Sequence, residues 1–120
     1  MIDLTDLDRR AALALGLKIA TWPTIPGDWY EIPLLGEDAV RTFAPTTDAN
    51  DCREFVQFLQ ELHYNMDVYS RAHFASISIW RPSLTPVLVA ASEGTDFEHG
   101  PTYDLVAQVL AGLAAVEEES

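Results

Sequence analysis

Apolar positions change their spacing along this chain, and each change predicts an element. Leu4, Leu7, Ala11, Ala14 and Leu15 recur at helical spacing, with Thr5 and Asp8 as a start signal and Gly16 as a stop, which predicts a short amphipathic helix. In the segment after "PTTDAND", Cys52, Phe55, Val56, Leu59 and Leu62 form one stripe opposed by Glu54, Gln57, Gln60 and Glu61. Asp48 is the expected N-cap of this second helix and Asp51 its N3 residue. The spacing then shortens to two. Tyr64, Met66 and Val68 alternate with Asn65, Asp67 and Ser70, and Ala75, Ile77 and Ile79 alternate with Ser76 and Ser78, predicting paired antiparallel strands. "PVLVAAS" is apolar at every step, the pattern of a strand covered on both faces or placed mid-sheet, and Pro82 and Pro86 bracket the connection before it.

"EGTDFEHG" reads as a loop, and Pro101 as the first residue of a last helix, "TYDLVAQVLAGLAAVEEE". Leu105, Val106, Val109, Leu110, Leu113 and Val116 cover most of its circumference. A helix apolar nearly all round is either a central core helix or shared, as in a homodimer through the C-terminal helix. Glu117 to Glu119 sit at the unfavourable pole of its dipole, so fraying is expected there. Residues 17–46 are too long for a structureless connection and should hold short strand pieces such as "AVRTF". The order helix, irregular segment, helix, three strands, helix predicts an α+β fold: an antiparallel β-sheet of three to four strands packed by three helices, an αβα sandwich, in a single domain over residues 1–120.

A chain of 120 residues that is 48% hydrophobic can build one core. Its 7 Lys+Arg against 19 Asp+Glu give a net charge of −12, which disfavours direct nucleic-acid binding and anionic membranes and favours basic protein surfaces. Arg81 is the last Lys or Arg; beyond it stand Glu93, Asp96, Glu98, Asp104 and the terminal glutamates. With Cys52 the only cysteine, no intramolecular disulfide is available, which fits a cytoplasmic address. The first residues carry acids where a signal peptide needs positive charge, and no run reaches the roughly 18 apolar residues of a spanning helix, so export and membrane insertion are disfavoured.

"LALGL" near the start, "FAPTTDANDCREFVQFL" in the middle and the Ala- and Leu-rich helix after "PVLVAAS" resemble the phage ABA-sandwich domain family of small phage and prophage proteins. The last helix, with "LVAQVLAGL", departs from the Cys-Arg pair associated with that family. The resemblance implies a helix-sheet-helix fold, a phage or prophage source, a host-cytoplasm setting, no known catalytic residues, and duties in packaging, regulation or counter-defence.

Catalytic and cofactor chemistry finds no motif. His63, His73 and His99 lack metal-ligand spacing, and "DFEH" would hold a cation only if a further carboxylate approached. Cys52 lies on an apolar stripe, no serine stands in a Gly-x-Ser-x-Gly elbow, and no glycine run cradles a phosphate, so no enzyme, cofactor or metal is expected. In "GDWYEIPLLGED", Trp29 and Tyr30 are neighbours in an extended segment and must point opposite ways, one sealing the core and one displayed beside Glu31, Glu37 and Asp38. The expected partner-binding set is therefore Trp29, Tyr30, Glu31, Glu37, Asp38, Glu93, Asp96 and Glu98. The leading expectation is a non-enzymatic, anti-CRISPR-like inhibitor occupying a basic, nucleic-acid-binding surface of a host defence protein. The alternatives are a sponge that sequesters a nucleotide defence signal through Arg41, Arg53, Arg71 or Arg81, and a phage assembly accessory.

Overall fold

A computed structural model of the chain describes residues 3–20, 29–31 and 40–119. The fold is α+β, and its elements follow the expected order. Helix α1 (Leu4–Ala14) begins at Asp3, whose carboxylate accepts the backbone N–H groups of Thr5 and Asp6. The start thus lies two residues earlier than the Thr5 signal suggests, because Asp8, expected to face back toward Thr5, is turned instead to Thr46. Asp48 caps α2 (Ala49–Glu61) as expected, accepting from the N–H groups of Asn50 and Asp51.

Both helices end in the same way, with a residue in the left-handed region and paired bonds back to the last turn. In α1 that residue is Gly16, at φ 79°, followed by Leu17 N–H donating to the Ala12 carbonyl at 3.0 Å. In α2 it is His63, at φ 69°, followed by Tyr64 N–H donating to the Leu59 carbonyl at 3.1 Å.

Short strands do occupy part of the 17–46 segment. β1 (Lys18–Ala20), β2 (Trp29–Glu31) and β3 (Val40–Arg41) pair antiparallel, with Glu31 opposite Lys18 and Tyr30 opposite Arg41. The larger sheet is β4 (Asn65–Arg71), β5 (Phe74–Arg81) and β6 (Val87–Thr95), antiparallel with β5 in the middle. Ala75, Ile77 and Ile79 of β5 are fully buried on the inner face, while Ser76 and Ser78 lie on the outer one, as their alternation requires. The all-apolar pattern of β6 is not explained by position, since β6 is an edge strand and Val87 and Leu88 are half-exposed. Its register slips by one residue between Ile79 and Trp80, leaving Val89 as a bulge.

β6 runs on through "EGT", and the expected loop is a single helical turn, α3 (Asp96–His99). A 3-10 turn (Gly100–Thr102) containing Pro101 then leads into α4 (Tyr103–Glu119). α4 packs on β5 and β6 with one side and meets α1 and α2 with the other. Val106, Ala107, Val109, Ala111 and Ala115 are fully buried, so the apolar circumference of α4 is consumed inside one chain, as a central core helix. Its small residues permit that depth: a Cβ on Gly112 would lie 2.5 Å from Phe55 Cε1 and 2.8 Å from Leu59 Cδ1. The acidic end of α4 stays helical through Glu119, and there Arg10 of α1 pairs with Glu117, supplying the positive charge that α4 itself lacks.

The "APTTDAND" segment is structural. Fully buried Thr46 donates both its N–H, at 3.0 Å, and its hydroxyl, at 2.8 Å, to Asp8 Oδ1, tying α1 to the approach of α2. Asp51, also buried, accepts the N–H of Ala44 at 2.9 Å. Burial pushes the Asp8 carboxyl above its ordinary value, with the Thr46 bonds opposing and nearby Asp51 adding to the shift.

Candidate binding surface at one end of the sheet

The turn between β4 and β5 and the junction of β6 with α3 meet at one end of the sheet. β6 arrives beside α4 because residue 94 is glycine: a Cβ there would stand 2.7 Å from the Tyr103 carbonyl oxygen, so any side chain would push α4 away. The Tyr103 hydroxyl donates to the Arg71 carbonyl at 2.7 Å, fastening the β4–β5 turn to the start of α4. The Asp96 N–H donates to the His73 carbonyl at 3.3 Å, and Asp96 Oδ2 lies 2.6 Å from His73 Nδ1. Asp96 Oδ1 is buried without a hydrogen-bond partner.

This framework holds rings outward. Phe97, the second residue of α3, is 88% exposed, and its ring centroid is 6.1 Å from that of His73, itself largely exposed. Tyr69, on the outer face of β4, is half-exposed, with the Arg71 guanidinium 5.3 Å from its ring centroid and bonded to its hydroxyl. Glu98 projects into solvent, 3.7 Å from Nε2 of the mostly buried His99. Glu93 is exposed on the outer face of β6, opposite Ser76. Of the expected set, Glu93, Asp96 and Glu98 thus share one end of the sheet, with Asp96 engaged by His73 and the two glutamates facing water. Trp29, Tyr30 and Glu31 form β2, the middle strand of the small sheet, and Glu37 and Asp38 lie outside the described residues.

Phe97 was legible as a feature and easy to pass over, a large apolar residue framed by acids directly after a strand. Among Arg53, Arg71 and Arg81 the arginine constellation does not assemble, and the Arg41 side chain lies outside the described residues. Arg71 and Arg81 sit at opposite ends of the β5 ladder, and Arg71 is committed to Tyr69. Arg53 lines a separate groove of about 240 Å³ between α2 and α4, with Cys52 and Gln108. In that groove the Cys52 thiol donates to Gln108 Oε1 at 3.7 Å, and burial, reinforced by Asp104, pushes it up to about 12, which leaves it protonated and unreactive. A second cavity, of about 470 Å³, is lined by Asn65, Asp67, Trp80 and Pro86 at the far end of the sheet. Among the described residues no three His, Cys, Asp or Glu side chains gather as metal ligands, so "DFEH" does not acquire the further carboxylate it would need. No described helix is long and apolar enough to cross a membrane.

Compared with protein-family models, curated proteins and solved structures, the chain matches none. The likeness to the phage ABA-sandwich family therefore rests on the short motifs alone.

Proposed function

We propose that this protein is a non-enzymatic inhibitor that grips a basic protein surface through the end of its sheet, with Phe97 as the apolar anchor and Glu93 and Glu98 as the flanking charges. The observation that carries the reading is Phe97 itself. A phenylalanine ring left 88% in water, on a turn braced by the His73–Asp96 pair and the Tyr103 bond to Arg71, is presented by a rigid frame. Interfaces draw their energy from a few such anchors, surrounded by polar contacts that exclude water.

A net charge of −12 supplies the long-range half of the recognition, because it repels phosphate backbones and attracts the surfaces that bind them. A compact acidic domain imitates the charge of a nucleic acid, so the target class that fits is a nucleic-acid-binding protein of a host defence system, occupied in place of its own ligand. The phage or prophage source and the host-cytoplasm setting belong to the same proposal and are supported by the motif likeness.

The test is capture of tagged protein on beads from bacterial lysate, washed at low and at high salt, beside a Glu93→Lys/Glu98→Lys variant. The expected result is a stoichiometric basic protein released by salt and lost with the charge reversal. Retention that ignores both salt and the reversal would remove the charge argument.

A further inference from the structure

The cavity of about 470 Å³ at the far end of the sheet follows from residue size on the outer face. Asn65, Asp67, Ser78 and Trp80 share that face, with Asn65 directly opposite Trp80 and Asp67 directly opposite Ser78. Serine is too short to fill the space between the Asp67 carboxylate and the Trp80 ring, and Pro86, just before β6, completes the lining.

Two polar groups in this lining are left unused by the fold. Asp67 makes no ion pair or hydrogen bond among the described residues. The Trp80 indole N–H is covered and has no acceptor. At the other end of the sheet the charged groups are engaged, His73 with Asp96 and Arg71 with Tyr69. Arg81, the basic residue nearest in sequence, alternates to the other face of β5 and has a partner of its own.

We infer that this cavity receives an arginine side chain of a partner protein, its guanidinium stacked on Trp80 and donating to the Asp67 carboxylate. An anion would meet Asp67 and a chain of net charge −12. A hard metal ion would find a single carboxylate in the lining, where it takes several oxygen ligands. A purely apolar group would strip water from Asp67 and replace it with nothing. An organic cation meets a carboxylate and an aromatic face together, and both attract it. Of the two cationic side chains, guanidinium is planar and weakly hydrated and can stack while it bonds, whereas an ammonium holds its water. The Asn65 amide oxygen, two residues from Asp67 on the same face, is a second acceptor for its five donors. The site lies at the opposite end of the sheet from Phe97 and its test needs no captured partner, so this inference and the Phe97 reading can fail separately.

The probe is N-acetyl-arginine amide, titrated into the isotope-labelled chain. Nuclear magnetic resonance reads the Trp80 indole N–H and the Asn65 side-chain amide, assigned by their loss in Trp80→Phe and Asn65→Ser. Both signals are expected to move along a saturable curve with a Kd of about 1 mM to about 10 mM, the strength of a single side-chain contact. Asp67→Asn is expected to weaken binding about fivefold, and Glu98→Gln, at the other end of the sheet, to leave it unchanged. The neutral citrulline counterpart should not bind, and the lysine counterpart should bind more weakly than arginine. Thermal melts establish that each variant is folded. Shifts that never saturate, an Asp67→Asn chain that binds the probe as tightly as the wild type, or citrulline or lysine counterparts that match arginine would overturn the inference.

Discussion

Replacing Gly112 with alanine tests whether α4 is held in place by close packing. Alanine should stabilise an ordinary helix interior by about 1 kcal/mol relative to glycine, so helix propensity alone predicts a more stable protein. The packing predicts the reverse. The added methyl would stand 2.5 Å from Phe55 Cε1, 2.8 Å from Leu59 Cδ1 and 3.0 Å from Phe55 Cζ, where carbon contacts settle near 3.5–4.0 Å, so roughly 1 Å of clearance must be found. Phe55 and Leu59 are 0% and 1% exposed, which leaves neither ring nor isobutyl group anywhere to swing. Overpacking on this scale costs about 1–3 kcal/mol, and after the propensity gain the net loss is about 1 kcal/mol. For a domain of this size that lowers Tm by about 4 °C.

Circular dichroism melts and urea titrations measure it, with Ala114→Gly, exposed on the same helix, showing the propensity effect without the clash. Phe55→Leu should relieve part of the strain in the Gly112→Ala background, so the two substitutions should be less than additive. A Gly112→Ala protein that melts at or above the wild type would refute the packing argument.

Three further outcomes follow from the same geometry. Asp8→Ala should cost about 1–3 kcal/mol because it strands the buried N–H and hydroxyl of Thr46, whereas Asp8→Asn keeps the acceptor and should be close to neutral in melts at pH 7. Since burial raises the Asp8 carboxyl above 3.8, the native chain binds more proton than the unfolded one from about that pH up to the raised value; Asp8 favours folding below this window and loses that contribution as pH rises through it. Melts across this range should show the pH dependence reduced in Asp8→Asn. His63→Gly should stabilise by about 1 kcal/mol, because only glycine occupies φ 69° without Cβ strain; an unchanged urea midpoint would contradict this. Cys52 should resist a thiol reagent in the folded protein and react fully in denaturant, and rapid labelling of the native chain would show the α2–α4 groove to be open.

Local signals in the sequence carried the helices and the alternating strands, because each depends on neighbours within a turn or a pleat. Asp48 could be read as a cap for that reason, as could the inward set Ala75, Ile77 and Ile79. What escaped depends on distant residues. Asp8 looked like a capping partner for Thr5, and its true partner, Thr46, lies 38 positions away. β6 looked central because hydrophobicity reports coverage and not strand order. "DFEH" looked like a solvated loop, since nothing local shows that His73 will brace Asp96 and leave Phe97 facing water. The acids Glu93, Asp96 and Glu98 were legible by type, but their common location at the end of the sheet, and the engagement of Asp96, emerge only from the fold.

The most direct measurement of the proposed function places Phe97→Ser beside the wild type in the salt-resolved bead capture, with melts showing that both are folded. The account predicts that the wild type retains a stoichiometric basic protein at low salt, releases it at high salt, and that Phe97→Ser retains little of it at either. Equal capture by the two proteins, or no stoichiometric partner for the wild type, would contradict it.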